Sequence, residues 1–240
     1  MVREVLVQKL VTKTKIPIAR YVVNPYIGCG HGCRYCYAQF IGPFKNTAGV
    51  WGRDVFVKIN AFKVFERELY RLKGNILFSS ICDPYQPIEK KYQLTRTLLK
   101  IALDRFRSVH ILTKSSLILR DLDILQNKDV SVTITITTDD ERVRRILEPN
   151  AAPIDERIET IRKLRESNVD VSIFVGPVLP MNPERLARLL SKHVGRIFVD
   201  KLNYPWLVED IYRKNGWTEW LRDEKFHEVL AVFKKFLDVD

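Results

Sequence analysis

The chain has four cysteines in 240 residues, and three of them, Cys29, Cys33 and Cys36, fall within eight positions. They stand in Asn24-Pro-Tyr-Ile-Gly-Cys29-Gly-His-Gly-Cys33-Arg-Tyr-Cys36-Tyr-Ala38, a C-x3-C-x2-C spacing. Thiolates are soft metal ligands, and disulfides between such close neighbours would be strained. The clustering therefore argues for a metal or an iron–sulfur centre. A cubane cluster has four irons, each normally held by one thiolate, so three cysteines on one loop can hold three irons and leave the fourth open. Gly28, Gly30 and Gly32 allow the backbone to curl around such a group. Two other readings use the same residues. One is a structural zinc site with His31 as fourth ligand, in a non-catalytic nucleic-acid-binding module. The other is a ferredoxin-like electron carrier, which needs a fourth thiolate close by.

This segment, with an aromatic residue just before the third cysteine, resembles the signature of the radical S-adenosylmethionine (radical SAM) superfamily. Further stretches are similar to the branch related to spore photoproduct lyase: Ser80-Ile-Cys-Asp83-Pro-Tyr-Gln-Pro-Ile-Glu89, Leu112-Thr-Lys-Ser115, Arg120-Asp-Leu-Asp123, Arg145-Ile-Leu-Glu-Pro149 and Gly176-Pro-Val-Leu-Pro180. The likeness runs from about residue 14 to residue 205. It implies that Cys29, Cys33 and Cys36 hold a [4Fe–4S] cluster whose open iron takes S-adenosylmethionine (SAM). One electron then splits SAM to methionine and a 5′-deoxyadenosyl radical, which removes a hydrogen atom from a substrate. It also implies that Tyr35 borders the adenine, that the strand end at Ser79 and Ser80 meets the SAM amino group, and that Cys82 can donate a hydrogen atom. A reducing partner such as ferredoxin or flavodoxin is expected.

Other residues are candidates from their type and place. Asp83, Tyr85, Gln86 and Glu89 lie on a loop stiffened by two prolines, so they are expected to face a substrate. Thr113, Lys114 and Ser115 end one strand, and Thr135, Thr137 and Thr138 end the next. Hydroxyls and an amine there could reach the SAM carboxylate or ribose. Asn203 and Tyr204 close a later strand and are further substrate candidates. Arg144, Arg145 and Glu148 read as an ion-pair network or a polar helix face.

The elements that must position these groups follow from hydrophobic spacing. Strands are expected at Arg20–Ile27, Asn75–Ile81, Ser108–Leu112, Val130–Thr137, Asp170–Val175 and Arg196–Asp200, several apolar enough to be covered on both faces. Between them lie helical faces: Phe62, Phe65, Leu69 and Leu72; then Leu94, Leu98, Ile101 and Ala102; then Ile158, Ile161, Leu164 and Arg165. Asn182-Pro183-Glu184 has the form of a helix start, Gly195 that of its stop, and Trp217–Leu237 reads as a final helix. Six βα units predict an α/β fold: a partial (β/α)6 barrel of the radical SAM type, with a doubly wound sheet as the alternative. The expected division is an N-terminal extension (1–19), the barrel (20–205) and a C-terminal helical segment packed on it (206–240).

Composition, 46% hydrophobic and 29% charged, excludes wholesale disorder. No apolar run approaches the roughly 20 residues of a membrane span, and Arg3, Glu4 and Lys9 interrupt the first apolar stretch, so no signal peptide is expected. These features point to a cytoplasmic protein without membrane contact, expected as a monomer. The formal charge is +11, and residues 1–80 hold 13 basic against 4 acidic side chains. Such an excess suits nucleic acid or another anionic substrate, with Tyr21, Tyr26, Tyr37 and Trp51 as candidates for base stacking.

Overall fold

In a computed structural model, which describes residues 1–126 and 128–240, the chain opens with β1 (Val2–Val5), β2 (Val11–Lys13), β3 (Tyr21–Val23) and β4 (Tyr26–Ile27). After the cysteine segment come β5 (Val55–Lys58), α1 (Ala61–Leu69), β6 (Asn75–Phe78), α2 (Glu89–Tyr92), α3 (Leu94–Arg105) and β7 (Ser108–Thr113). The second half runs α4 (Leu122–Leu125), β8 (Val130–Thr135), α5 (Glu141–Leu147), α6 (Ile154–Glu166), β9 (Asp170–Val175), α7 (Pro183–Leu190) and β10 (Arg196–Val199). It closes with α8 (Glu209–Asn215), α9 (Asp223–Phe233) and β11 (Asp238–Val239).

The main sheet has eight strands in the order β11-β10-β9-β8-β7-β6-β3-β2, all parallel except β2, which runs antiparallel to β3. The six expected strands are β3 and β6 to β10, laid side by side in chain order. A doubly wound sheet would reverse direction part-way. With no reversal, right-handed crossovers place the connecting helices on one face, as in a barrel wall. The sheet stays open: among the described residues no ladder joins β11 to β2. Residues 1–19 supply β1, which pairs with β5 in a second small sheet, and β2 at the edge of the main one.

Burial alternates along the central strands. In β7, Val109, Ile111 and Thr113 are buried while Ser108, His110 and Leu112 are half-buried, and β8 begins with the same period. The sheet is therefore covered by helices on one face only, not on both as the apolar runs suggested. That covered face forms the main core with Leu98, Leu99, Ile161, Leu164, Leu186 and Phe233. The other face carries a small apolar cluster, Ala19, Val22 and Leu77, beside hydroxyl-rich pairs such as Thr133 with Ser172 at 2.8 Å.

Several expected elements differ in extent: the strands expected to reach Ile81 and Thr137 end at Phe78 and Thr135, and three others change more. The strand expected at Arg20–Ile27 breaks at Asn24-Pro25, because proline has no N–H for the ladder. The helix at Asn182 starts as expected, with the Asn182 side chain accepting from Arg185 N at 3.0 Å, but ends at Leu190, short of Gly195. The expected final helix divides: Thr218–Leu221 forms a 3-10 turn, Arg222 is extended (φ −90°, ψ 143°), and α9 follows.

The break at Asn24 is useful to the fold. Its Oδ1 accepts from the N–H groups of Ser80 (3.0 Å) and Ile81 (3.1 Å), and its carbonyl accepts from Lys58 Nζ at 2.6 Å. One buried side chain thus joins the start of the cysteine segment to the end of β6. Asn24→Ala strips two backbone donors of their partner and is expected to cost about 1–3 kcal/mol, read as a lower urea midpoint at unchanged slope.

Candidate active site

The cysteine loop sits where β3, β6, β7 and β8 end. Cys29 and Cys33 are buried, Cys36 is half-buried, and all three thiols are free. Burial pushes each thiol above its ordinary range; a neighbouring carboxylate adds to this at Cys29 (Asp83) and Cys33 (Glu148). Their stable state without a bound cation is the neutral thiol, and a cationic metal centre is what would make them thiolates.

The loop is braced from several sides. Gln86 accepts from Gly30 N at 2.7 Å and donates to the Gly28 carbonyl at 3.2 Å. Asn150 donates to the Gly30 carbonyl at 2.9 Å, and Trp51 Nε1 to the Cys33 carbonyl at 3.1 Å. Gly32 and Gly52 meet back to back at positive φ; a Cβ on Gly52 would lie 2.8 Å from the Gly32 Cα. Only glycine fits both positions.

His31 is buried between Asn150 and Asp83. Its Nδ1 lies 3.1 Å from the Asn150 carbonyl oxygen, and Nε2 is 3.2 Å from Asp83 Oδ2, a close contact without hydrogen-bond alignment. The zinc reading needed His31 as a ligand. Among the described residues, no three His, Cys, Asp or Glu side chains converge on one metal ion. A cubane makes a different demand, since each sulfur binds its own iron. The donor set, three free thiols on one glycine-rich loop, fits that group.

Buried carboxylates organise the surroundings. Glu148 is fully buried and accepts from the Tyr35 hydroxyl, from Thr137 Oγ1 at 2.8 Å and from Arg157 Nη2 at 2.5 Å, with Lys114 Nζ at 3.6 Å. Burial alone would raise its carboxyl; the Arg157 and Lys114 charges and the Tyr35 hydrogen bond outweigh it and hold Glu148 below the usual carboxylate range. Arg157 also donates to the carbonyls of Ala152 and Thr135. Asp83 accepts from Thr113 Oγ1 (2.7 Å), Lys114 N (2.8 Å) and Tyr85 N (2.8 Å). Burial pushes it up, and His31, Thr113 and Lys114 N overcome that and lower it.

The loop at residues 83–89 turns inward. Tyr85, Gln86 and Glu89 were expected to face a substrate, yet each is 0% exposed. Tyr85 donates to Asp121 at 3.1 Å; Glu89 accepts from Tyr26, Thr95 N (3.0 Å) and Arg120 Nη2 (2.9 Å). Their polar atoms hold the loop in place. Ser115 caps the following 3-10 turn by accepting from Leu117 N at 3.2 Å, and Thr113 is spent on Asp83. Tyr35, Lys114 and Thr137 do come together, at Glu148, where the Lys114 ammonium sits 5.9 Å from the Tyr35 ring centre. Ser79 follows β6 with φ +73°. Ser80 is half-buried, and its carbonyl accepts from the Tyr37 hydroxyl. Asn203 is exposed and bonds Asp200, while Tyr204 packs with Phe40, Tyr37 and Trp206. Reading the chain in sequence missed Asn24, Gln86 as a brace, Asn150, and the Glu148–Arg157 pair. The only signal was their place beside the motifs at 24–28, 83–89 and 145–149.

The site is thus a loop of three free cysteines at the C-terminal rim of an open, singly wound α/β sheet. The radical SAM superfamily model matches residues 23–192. The chain belongs to that superfamily. An uncharacterised protein of Methanocaldococcus jannaschii is 38% identical over 174 residues, which are 72% of this chain and 66% of that protein. A protein of Pseudomonas phage M6 named radical SAM Nα-GlyT isomerase is 26% identical over 211 residues, 81% of this chain and 43% of its own length. Among solved structures, spore photoproduct lyase superposes with a TM-score of 0.64 at 20% identity, covering 89% of this chain and 66% of the lyase. The chain thus spans between about two fifths and two thirds of the length of these relatives. Among the described residues no helix is long and apolar enough to cross a membrane.

Glu148 makes stability depend on pH. Its folded pKa is depressed, so its contribution is complete above the unfolded glutamate value of about 4.3 and is lost as pH falls through the folded value. Unfolding of the parent protein should therefore ease with acid below about pH 5, and Glu148→Gln should flatten that dependence. The variant leaves the Arg157 charge buried without its partner and should cost about 3–5 kcal/mol at neutral pH, measured by denaturant titration.

Proposed function

We propose that the chain is a radical SAM enzyme whose Cys29, Cys33 and Cys36 hold a [4Fe–4S] cluster with SAM at its open iron. The observation that carries this reading is the set of three free thiols on one glycine-cradled loop at the C-terminal rim. When bound, the cluster and SAM supply one electron and a 5′-deoxyadenosyl radical that takes a hydrogen atom from the substrate. The chain's own residues position and enclose. Tyr35, Lys114 and Thr137, gathered at Glu148, and the β6 end at Ser79 and Ser80 form the wall on which SAM would rest, with Ser115 just beyond it. Asp83, Tyr85, Gln86 and Glu89 act by fixing that wall, and Asn203 and Tyr204 stand at the rim where a substrate would enter. An anionic substrate suits the charge, a ferredoxin or flavodoxin suits the electron, and a monomer suits the fold.

Cys82 fits a hydrogen-atom donor. Its Sγ lies 3.4 Å from Ser79 Oγ and 3.8 Å from Asn24 Oδ1, next to the β6 end. Burial pushes its pKa up to about 11, against the opposing effect of Ser79 and Lys58, so the S–H is kept at neutral pH. Only the protonated thiol has a hydrogen atom to give.

Anaerobic reconstitution with iron and sulfide, followed by dithionite and SAM, should yield 5′-deoxyadenosine, and Cys29→Ala, Cys33→Ala or Cys36→Ala should abolish it. Stoichiometric zinc in place of iron and sulfide, or a cluster that never cleaves SAM, would contradict the reading. Cys82→Ala should still cleave SAM yet lose normal turnover once a substrate is in hand; unchanged turnover removes the donor role.

A further inference from the structure

The free edge of the main sheet carries a second feature, lined by none of the cysteine-loop residues. Between β2 and the C-terminal end of α1 lies an open cleft of about 430 Å³, lined by Lys9, Lys13, Arg67 and Arg71 around Val11, Tyr21, Glu68 and Leu72. Four cations face one carboxylate, and that carboxylate is engaged by the backbone: Glu68 accepts from Leu10 N at 3.2 Å and Val11 N at 2.8 Å. Among the described residues none of the four cations forms an ion pair with an acidic side chain, and the ion pairs of residues 1–80 that involve Arg or the N-terminal amine both go to Asp54. Several arginines of the second half are treated differently: Arg162, Arg185, Arg188 and Arg213 each pair with a carboxylate.

Unpaired cations held close together repel one another, and a cleft that gathers them is stabilised by an anion with repeating charge. The first 80 residues carry 13 basic and 4 acidic groups, so the surrounding field draws the same kind of partner. The direction of the cleft matters too. β2 runs antiparallel to β3, with Val11 opposite Val23 and Lys13 opposite Tyr21. The Lys9 end therefore points toward Asn24 and the rim, and the Lys13 end toward the strand starts. An extended polyanion lying along this edge would lead to the mouth of the barrel.

We propose that this cleft docks the phosphodiester backbone of a nucleic acid strand. Lys9, Lys13, Arg67 and Arg71 each neutralise phosphate charge, while the half-open edge imposes no base preference. The proposal goes beyond the radical chemistry and does not depend on it.

The test is fluorescence anisotropy of a labelled single-stranded oligonucleotide against salt concentration. Four phosphate contacts on a single strand predict a log–log slope near about −2.8, at about −0.7 per contact. Lys13→Ala/Arg71→Ala should weaken binding about tenfold or more at about 0.1 M salt and reduce the slope by about 1.4. Both side chains are exposed, so thermal unfolding should be unchanged. Lys192→Ala/Lys214→Ala removes the same net charge elsewhere on the surface and should leave the slope alone. Equal weakening by the two pairs would reduce the effect to net charge and overturn the proposal, as would an unaltered slope in the cleft pair. Displacement by inorganic phosphate beyond that by chloride of equal ionic strength would reassign the cleft to a small anion. 5′-Deoxyadenosine formation without oligonucleotide should be the same in the cleft pair and the parent, which separates failure here from failure of the radical reading.

Discussion

Buried carboxylates hold the rim of this protein together. A carboxylate taken out of water is costly unless several donors replace its hydration. Glu148 meets that demand with Tyr35, Thr137, Arg157 and nearby Lys114; Asp83 with Thr113 and two backbone N–H groups; Glu89 with Tyr26, Thr95 N and Arg120. Each gathers chain segments that are distant in sequence. Glu148 ties the cysteine loop to the ends of β7 and β8 and to α6, and Asp83 ties the end of β6 to that of β7. The rim is stiff because breaking any one link strands a charge.

The sheet supplies the other half of the arrangement. Laying six parallel strands in chain order sends the helices to one side and leaves the opposite face half-exposed and rich in hydroxyls. The strand ends then share one edge, and the loops that follow them converge. Gly32 against Gly52 packs the cysteine loop onto its neighbour more closely than any side chain would allow. The conformation of the thiol-bearing loop is thus set by backbone contacts, and its surroundings by the carboxylates.

Local features were readable from the amino acids alone. The C-x3-C-x2-C spacing, the six apolar runs and the Asn182 cap all depend on residues within one turn or one strand of each other. Features that depend on distant partners were not. Tyr85, Gln86 and Glu89 lie on a polar, proline-stiffened loop, which reads as an exposed surface; they are buried because Asp121, Gly28, Gly30 and Arg120 meet them across the fold. Covered-on-both-faces strands were expected from composition, but half-buried His110, Ser131 and Ser172 show that composition averages over two faces which burial separates. The split of the last helix at Arg222 is invisible in periodicity, since apolar residues keep helical spacing on either side of it.

In the proposed site three side chains of the protein hold the cluster, with one iron left for an outside ligand. Electron paramagnetic resonance of the anaerobically reduced, reconstituted protein examines this without reference to any substrate. An open iron predicts a reduced-cluster signal whose shape changes when SAM is added, because SAM would enter the coordination of that iron. A signal indifferent to SAM would mean that no iron is open and would contradict a cluster held by three protein ligands.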